Sequence, residues 1–154
     1  MFEYLKKVLI PEFEGNNNDS HSTREKKIQV ATCALFIELA KADDDFSEVE
    51  RKKIISLMED IFDIDEEYVE ELVALSESKV NQSVSVYEFT TVINNNFDRN
   101  EKIDLLINLW RLVYIDDTLN QYEDGLMRKL GTLLNLEHSD LINAKLLVKQ
   151  EKTK

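Results

Sequence analysis

The sequence predicts an all-α protein, a single compact domain of seven to eight helices. Three glycines and one proline are too few for the many turns of a large sheet. Apolar residues, 43% of the chain, recur at helical spacing and form no alternating runs. A long apolar helix, an acidic turn and a second helix also occur twice, about 73 residues apart. A chain of 154 residues can bury one sizeable core.

The two copies match most closely in their acidic turns. The first copy reads Ala-Asp-Asp-Asp-Phe-Ser-Glu-Val-Glu, and the second reads Ile-Asp-Asp-Thr-Leu-Asn-Gln-Tyr-Glu. We therefore predict two pseudo-repeated helix pairs around two central helices, with a twofold axis that runs either along or across those helices. The acidic residues Asp43, Asp44 and Glu50 correspond to Asp116, Asp117 and Glu123.

The two central helices are predicted at 23–42, where Thr23 is the expected N-cap, and around 103–113. Both are apolar around most of their circumference, which is typical of buried helices. The second keeps a narrow polar stripe at Asp104, Asn108 and Arg111. We expect these two helices to form the centre of the domain.

The other helices are amphipathic and surround that centre. The segment 84–96 is rich in β-branched residues, but nothing else in the chain would pair with it as a strand. We divide the chain into a short N-terminal helix and loop (1–22), the helical domain (23–150) and a tail (151–154). The further helices are predicted at 47–62, at 65–78 with Asp65 as N-cap, and at 84–96, 120–135 and 139–150.

The net charge of −12 is concentrated in one region. The segment 43–71 contains 13 acidic residues and three basic ones. Such a field repels phosphate backbones, so nucleic acid is excluded as a partner. It attracts divalent cations or a protein partner with a basic surface, although a solvated acidic face would carry the same charges.

Localisation follows from what the sequence lacks. No stretch approaches the roughly 20 apolar residues that span a bilayer, and the first ten residues form no signal-peptide core. The lone Cys33, in an apolar run, fits a reducing compartment. We expect a cytoplasmic protein without a transmembrane segment.

The acidic turns are the candidate site. Ser47 and Glu50 form a capping-box pattern, which Asn120 and Glu123 repeat, and capping alone explains both glutamates. It does not explain the aspartates at the C-terminal ends of the two central helices, where an anion costs roughly 0.3–1 kcal/mol. Asp44 and Asp117 suit the left-handed conformation of a helix end, but Asp43 and Asp116 have no such explanation. We predict that Asp43, Glu50, Asp116 and Glu123 hold Ca²⁺ or Mg²⁺. The first turn is not an EF-hand loop, since Ile54 occupies the twelfth position, where a bidentate Glu is needed, and the loop that opens at Asp63 fails in the same way at Ala74.

The doubled pattern, Ala42-Asp43-Asp44-x-x-Ser47-x-x-Glu50 and Asp116-Asp117 followed by Glu123, resembles the tellurite-resistance protein B (TerB) family. The resemblance covers about residues 25–150, although Asp44 and Asp117 replace the family's glycines. It implies an all-helical domain whose acidic cluster is proposed to bind metal ions. It also implies a role in stress response, often in membrane-associated complexes, and no catalytic activity.

Three hypotheses for function follow. The first is a non-enzymatic, TerB-like stress-response domain that binds a divalent metal or a protein partner through its acidic turns. The second is a metal-free interaction module that uses the acidic surface 43–71. The third is a carboxylate metalloenzyme, which is disfavoured because no set of base, nucleophile and histidine ligands is visible.

Overall fold

The residues 20–42, 47–82, 85–116 and 121–152, which a computed structural model describes, contain seven α-helices and no strand. A 3-10 helix at Tyr114–Asp116 follows the fifth α-helix. This architecture confirms the predicted all-α fold. The α-helices are α1 (Ser20–Ala40), α2 (Glu48–Phe62), α3 (Glu66–Asn81), α4 (Val86–Asn96), α5 (Arg99–Val113), α6 (Gln121–Leu133) and α7 (His138–Lys152).

Helix α1 forms the centre of the molecule. Every side chain from Gln29 to Ile37 is buried, so no face of this stretch meets solvent. A helix that is apolar on nearly all sides needs neighbours on all sides. Helices α3 and α4 supply most of its contacts, and α2, α5 and α6 pack against the rest.

The sequence repeat is also a structural repeat. Helix α1 packs against α2 and α3 as α5 packs against α6 and α7, and the second helix of each copy also touches the central helix of the other. Helices α2 and α6 end alike, because Asp63 (φ 54°) and Asn135 (φ 61°) both adopt the left-handed conformation. Helix α4 lies between the copies in the chain and packs mainly along α1.

Helix α5 is held to α7 through the only tryptophan of the chain, Trp110. Its side chain is 1% exposed, and its indole N–H donates to the Leu141 carbonyl at 3.1 Å. The Trp110 and Tyr114 rings stack with centroids 5.9 Å apart. Burial of a side chain of this size contributes roughly 3 kcal/mol in transfer terms. Trp110 is therefore a core residue of α5, a helix that the sequence predicts to be central.

Helix boundaries depart from prediction at both ends of the described chain. Helix α1 begins at Ser20, so Thr23 lies inside the helix and its predicted N-cap role is wrong. No glycine or proline lies between Ser20 and Thr23, so nothing in this segment prevents it from being helical. Helix α7 runs two residues past the predicted end, and Glu151 pairs there with Arg111 at 2.6 Å. The short helix predicted before Pro11 lies outside the described residues.

Candidate functional site

The first acidic turn leads into a capped helix. The Glu50 amide donates to the Ser47 hydroxyl at 3.1 Å, and the Ser47 amide donates to Glu50 Oε1 at 3.0 Å. The predicted capping box is thus confirmed, and it satisfies two backbone donors of the first turn of α2. This box fixes the position of the Glu50 carboxylate at the end of the turn. Asp43, Asp44 and Asp45 of the same turn lie outside the described residues.

The second turn follows a short extension of the central helix. Helix α5 ends at Val113, as predicted, and Asp116 closes the 3-10 helix that continues from it. The tighter winding of a 3-10 helix lets the chain leave α5 within three residues. The side chain of Asp116 lies outside the description, as do Asp117 and Asn120.

Glu123 lies in the first turn of α6 and is 8% exposed. A carboxylate at a helix N-terminus is stabilised by the helix dipole. The neighbouring Asp124 pairs with Arg128 at 3.1 Å, one turn further along α6. The structure therefore places a buried carboxylate in the helix that follows the second acidic turn.

The pKa of Tyr114 is sensitive to the negative charge at the start of α6. Burial raises the pKa of its hydroxyl, and the nearby Asp124 and Glu123 carboxylates raise it further. Tyr114 is not among the residues that the sequence pattern singles out. Asp124 and Glu123 belong to α6, on the far side of the acidic turn from Tyr114. Helical periodicity relates residues within one helix, so it could not predict that these carboxylates lie near Tyr114.

Glu50 and Glu123 are the two predicted ligands whose side chains the structure describes, and they occupy equivalent positions of the repeats. Across 20–42, 47–82, 85–116 and 121–152, no three His, Cys, Asp or Glu side chains come together to hold a metal ion. The set Asp43, Glu50, Asp116 and Glu123 includes residues beyond that description, so it stays a prediction.

The remaining reactive side chains do not form a catalytic set within the described residues. Burial raises the pKa of the Cys33 thiol to about 12, and a hydrogen bond with Ser76 and the charge of Arg51 only partly oppose this. A thiol with that pKa stays protonated at neutral pH and is a poor nucleophile. His138 is exposed at the start of α7.

Comparisons with known proteins agree with this architecture. The family model described as tellurite resistance protein TerB matches residues 29–146, which is more than half of the chain. No curated protein and no solved structure gives a significant match. In the described part of the chain, no helix is long and apolar enough to cross a membrane. The chain therefore belongs to the TerB family of tellurite-resistance-related domains.

Proposed function

We propose that this TerB-family domain is a non-enzymatic, cytoplasmic stress-response domain that binds a divalent cation through Asp43, Glu50, Asp116 and Glu123. The observation that carries the proposal is the equivalence of Glu50 and Glu123. Each lies in the first turn of the helix that follows an acidic turn, and each turn contributes an aspartate at the matching position.

The chemistry of these donors suits a hard cation. Ca²⁺ and Mg²⁺ prefer carboxylate and carbonyl oxygens, and all four proposed ligands are carboxylates. The raised pKa of Tyr114, caused by burial and then by Asp124 and Glu123, supports a negative potential at the second turn. A bound cation would offset the repulsion among these acids, so its main effect would be to stabilise the turns.

The test is a calorimetric titration of the full chain with Ca²⁺, Mg²⁺ and Zn²⁺, repeated on the double variant Asp43→Asn/Asp116→Asn. We expect the native chain to bind Ca²⁺ or Mg²⁺ and to gain stability with cation concentration. The gain should be about 2.7 kcal/mol at a hundred times the Kd. The double variant should lose both effects.

The matched control is Asp60→Asn/Asp63→Asn, which removes the same charge at the other end of α2, where both side chains are exposed. Asn tolerates the left-handed conformation of residue 63, so the turn should survive. This variant should bind the cation like the native chain. Equal loss of binding in both double variants would indicate a diffuse acidic field and no defined site.

A second candidate function is a metal-free interaction module for a basic protein surface. The described part of the acidic region favours it, because Glu66, Glu67 and Glu70 are exposed along α3. Arg51, a base of the same region, already pairs with Glu77 at 2.8 Å. Absence of any cation-dependent stabilisation at millimolar Ca²⁺ or Mg²⁺ would favour this function. A redox metal found by elemental analysis would instead favour a metalloenzyme.

A further inference from the structure

A groove beside helix α5 has neither Glu50 nor Glu123 among its described lining residues. It holds a cavity of about 310 Å³. One wall is a stripe of α5 at helical spacing, and the opposite wall is the last turn of α2. The lining residues are Thr32, Ile61, Phe62, Phe97, Glu101, Asp104, Leu105 and Asn108.

The repeat explains why this side of α5 is open. The α5 residues Asp104 and Asn108 correspond to Ala31 and Leu35 of α1, which are fully buried. Helix α4 packs along α1, whereas no described helix packs on α5 in a corresponding way. The second central helix therefore keeps an exposed stripe that the first one lacks.

The floor of the groove consists of apolar surface and of a hydroxyl group that already has a hydrogen-bond partner. Leu105 is 3% exposed, and the buried Thr32 hydroxyl donates to the Ile28 carbonyl at 2.8 Å. Phe62 and Phe97 are half-buried and add aromatic surface to the walls. An apolar side chain could therefore cover this floor without leaving its buried polar group, the Thr32 hydroxyl, unpaired.

The rim of the groove is acidic. Asp104 is exposed, and its carboxylate makes no hydrogen bond or ion pair with the described residues, while Glu101 Oε1 accepts from the Asp98 amide at 2.9 Å. The nearby charge of Arg111 offsets these acids only in part, because its guanidinium is bound to Glu151 at 2.6 Å. The groove thus combines an apolar floor with a negative edge.

We propose that this groove binds a basic amphipathic helix of another protein, which inserts an apolar side chain into the cavity and pairs a Lys or Arg with Asp104. The α5 stripe from Glu101 to Asn108 is about 10 Å long, or two helical turns, which suits anchors at i and i+3 or i+4. A second copy of this chain fits less well, since two chains of charge −12 repel each other. This proposal does not depend on cation binding at the acidic turns.

The experiment uses a fluorescein-labelled synthetic peptide of about 18 residues, a helix of roughly five turns with leucines on one face and lysines on the other. Its binding to the full chain is measured by fluorescence anisotropy in buffer with EDTA. Asp104→Lys is compared with Glu70→Lys, which makes the same change of charge at an exposed position of α3. We expect Asp104→Lys to raise the Kd at least about tenfold and Glu70→Lys by less than about threefold.

A second peptide, with glutamine in place of leucine, tests the apolar contact and should bind at least about tenfold more weakly. Asp104→Asn should shift the Kd in the same direction as Asp104→Lys, so the result does not depend on how one variant folds. Equal effects of Asp104→Lys and Glu70→Lys, equal binding of both peptides, or no binding would overturn the proposal. So would sedimentation showing a dimer that Asp104→Lys dissociates. Because EDTA removes divalent cations, failure here says nothing about the acidic turns.

Discussion

Helices α1 and α5 occupy equivalent places in the two repeats, yet the structure buries them differently. Helix α1 is buried on every side from Gln29 to Ile37, whereas α5 leaves Asp104 exposed and Asn108 and Arg111 half-buried. Both helices pack against two partners of their own copy, but α1 is also covered by α4. Because α4 packs along α1 and not along α5, α1 is buried in the core while one side of α5 remains exposed.

The environments of charged residues differ between the two helices in the same way as their burial. Glu38 and Arg111 stand at equivalent positions. Burial raises the pKa of the Glu38 carboxyl, and the charges of Lys129 and Lys41 only partly oppose it. On α5, by contrast, the Glu151 carboxylate raises the pKa of Arg111 through a direct hydrogen bond. A charge on the covered helix is therefore destabilised by desolvation, while one on the open helix finds a partner.

The largest expected effect contrasts Leu35→Ala with Asn108→Ala, the same position in the two copies. Leu35 is fully buried, so its truncation should cost about 2–5 kcal/mol of unfolding free energy. Asn108 is half-buried and mainly bonds its own helix and Arg111, so its loss should cost about 1 kcal/mol or less. Urea denaturation measures both. Similar costs would contradict the difference in burial.

The next prediction concerns Cys33, at the centre of the buried part of α1. Its pKa is raised from 9.0 to about 12, so the unfolded chain ionises first and stability falls as pH rises between these values. The loss attributable to Cys33 should be about 1.4 kcal/mol per pH unit in this window. Unfolding of the native chain is compared with Cys33→Ala, in which this pH-dependent term is absent. Rapid alkylation of the folded chain at neutral pH would contradict the burial.

A smaller effect is expected at the start of α5. Asp98 accepts from the Glu101 amide at 2.9 Å, and Glu101 accepts from the Asp98 amide, so the open helix begins with a capping box. Asp98→Ala should cost about 1 kcal/mol. Ser47→Ala, at the box of α2, is the matched variant and should cost a similar amount. A much larger cost at Asp98 would show that the cap also holds the groove wall, and chemical denaturation distinguishes the two cases.

The smallest expected effect is that of Glu38→Gln. Because the folded state raises the pKa of Glu38, the carboxylate lowers stability once pH exceeds its unfolded pKa of 4.5. Near neutral pH the neutral amide should leave stability unchanged or raise it by less than about 0.5 kcal/mol, since the group is partly solvated. Below about pH 4 this gain should vanish. A clear loss of stability at neutral pH would mean that the attraction between Glu38 and the charges of Lys129 and Lys41 outweighs its desolvation.

Much of the fold could be predicted from local patterns. Helical periodicity located the seven described helices, and Ser47 and Asp65 were identified as N-caps from their positions alone. The duplicated motif led to the TerB family, which the match over 29–146 confirms. These features depend on residues close in sequence, so one chain contains all the information they need. Of the candidate site, the capping box at Ser47 and Glu50 and the place of Glu123 in the first turn of α6 were predictable and are described.

Contacts between distant residues could not be predicted in this way. The sequence determined an all-helical chain, its repeat and its helix caps, because backbone hydrogen bonding and apolar spacing act over a few residues. Only the tertiary structure decided that α4 would cover α1, that Glu123 would be buried and that the groove beside α5 would remain open. These outcomes depend on how whole helices fill the space around the core, and periodicity within one helix does not specify which neighbour covers its face.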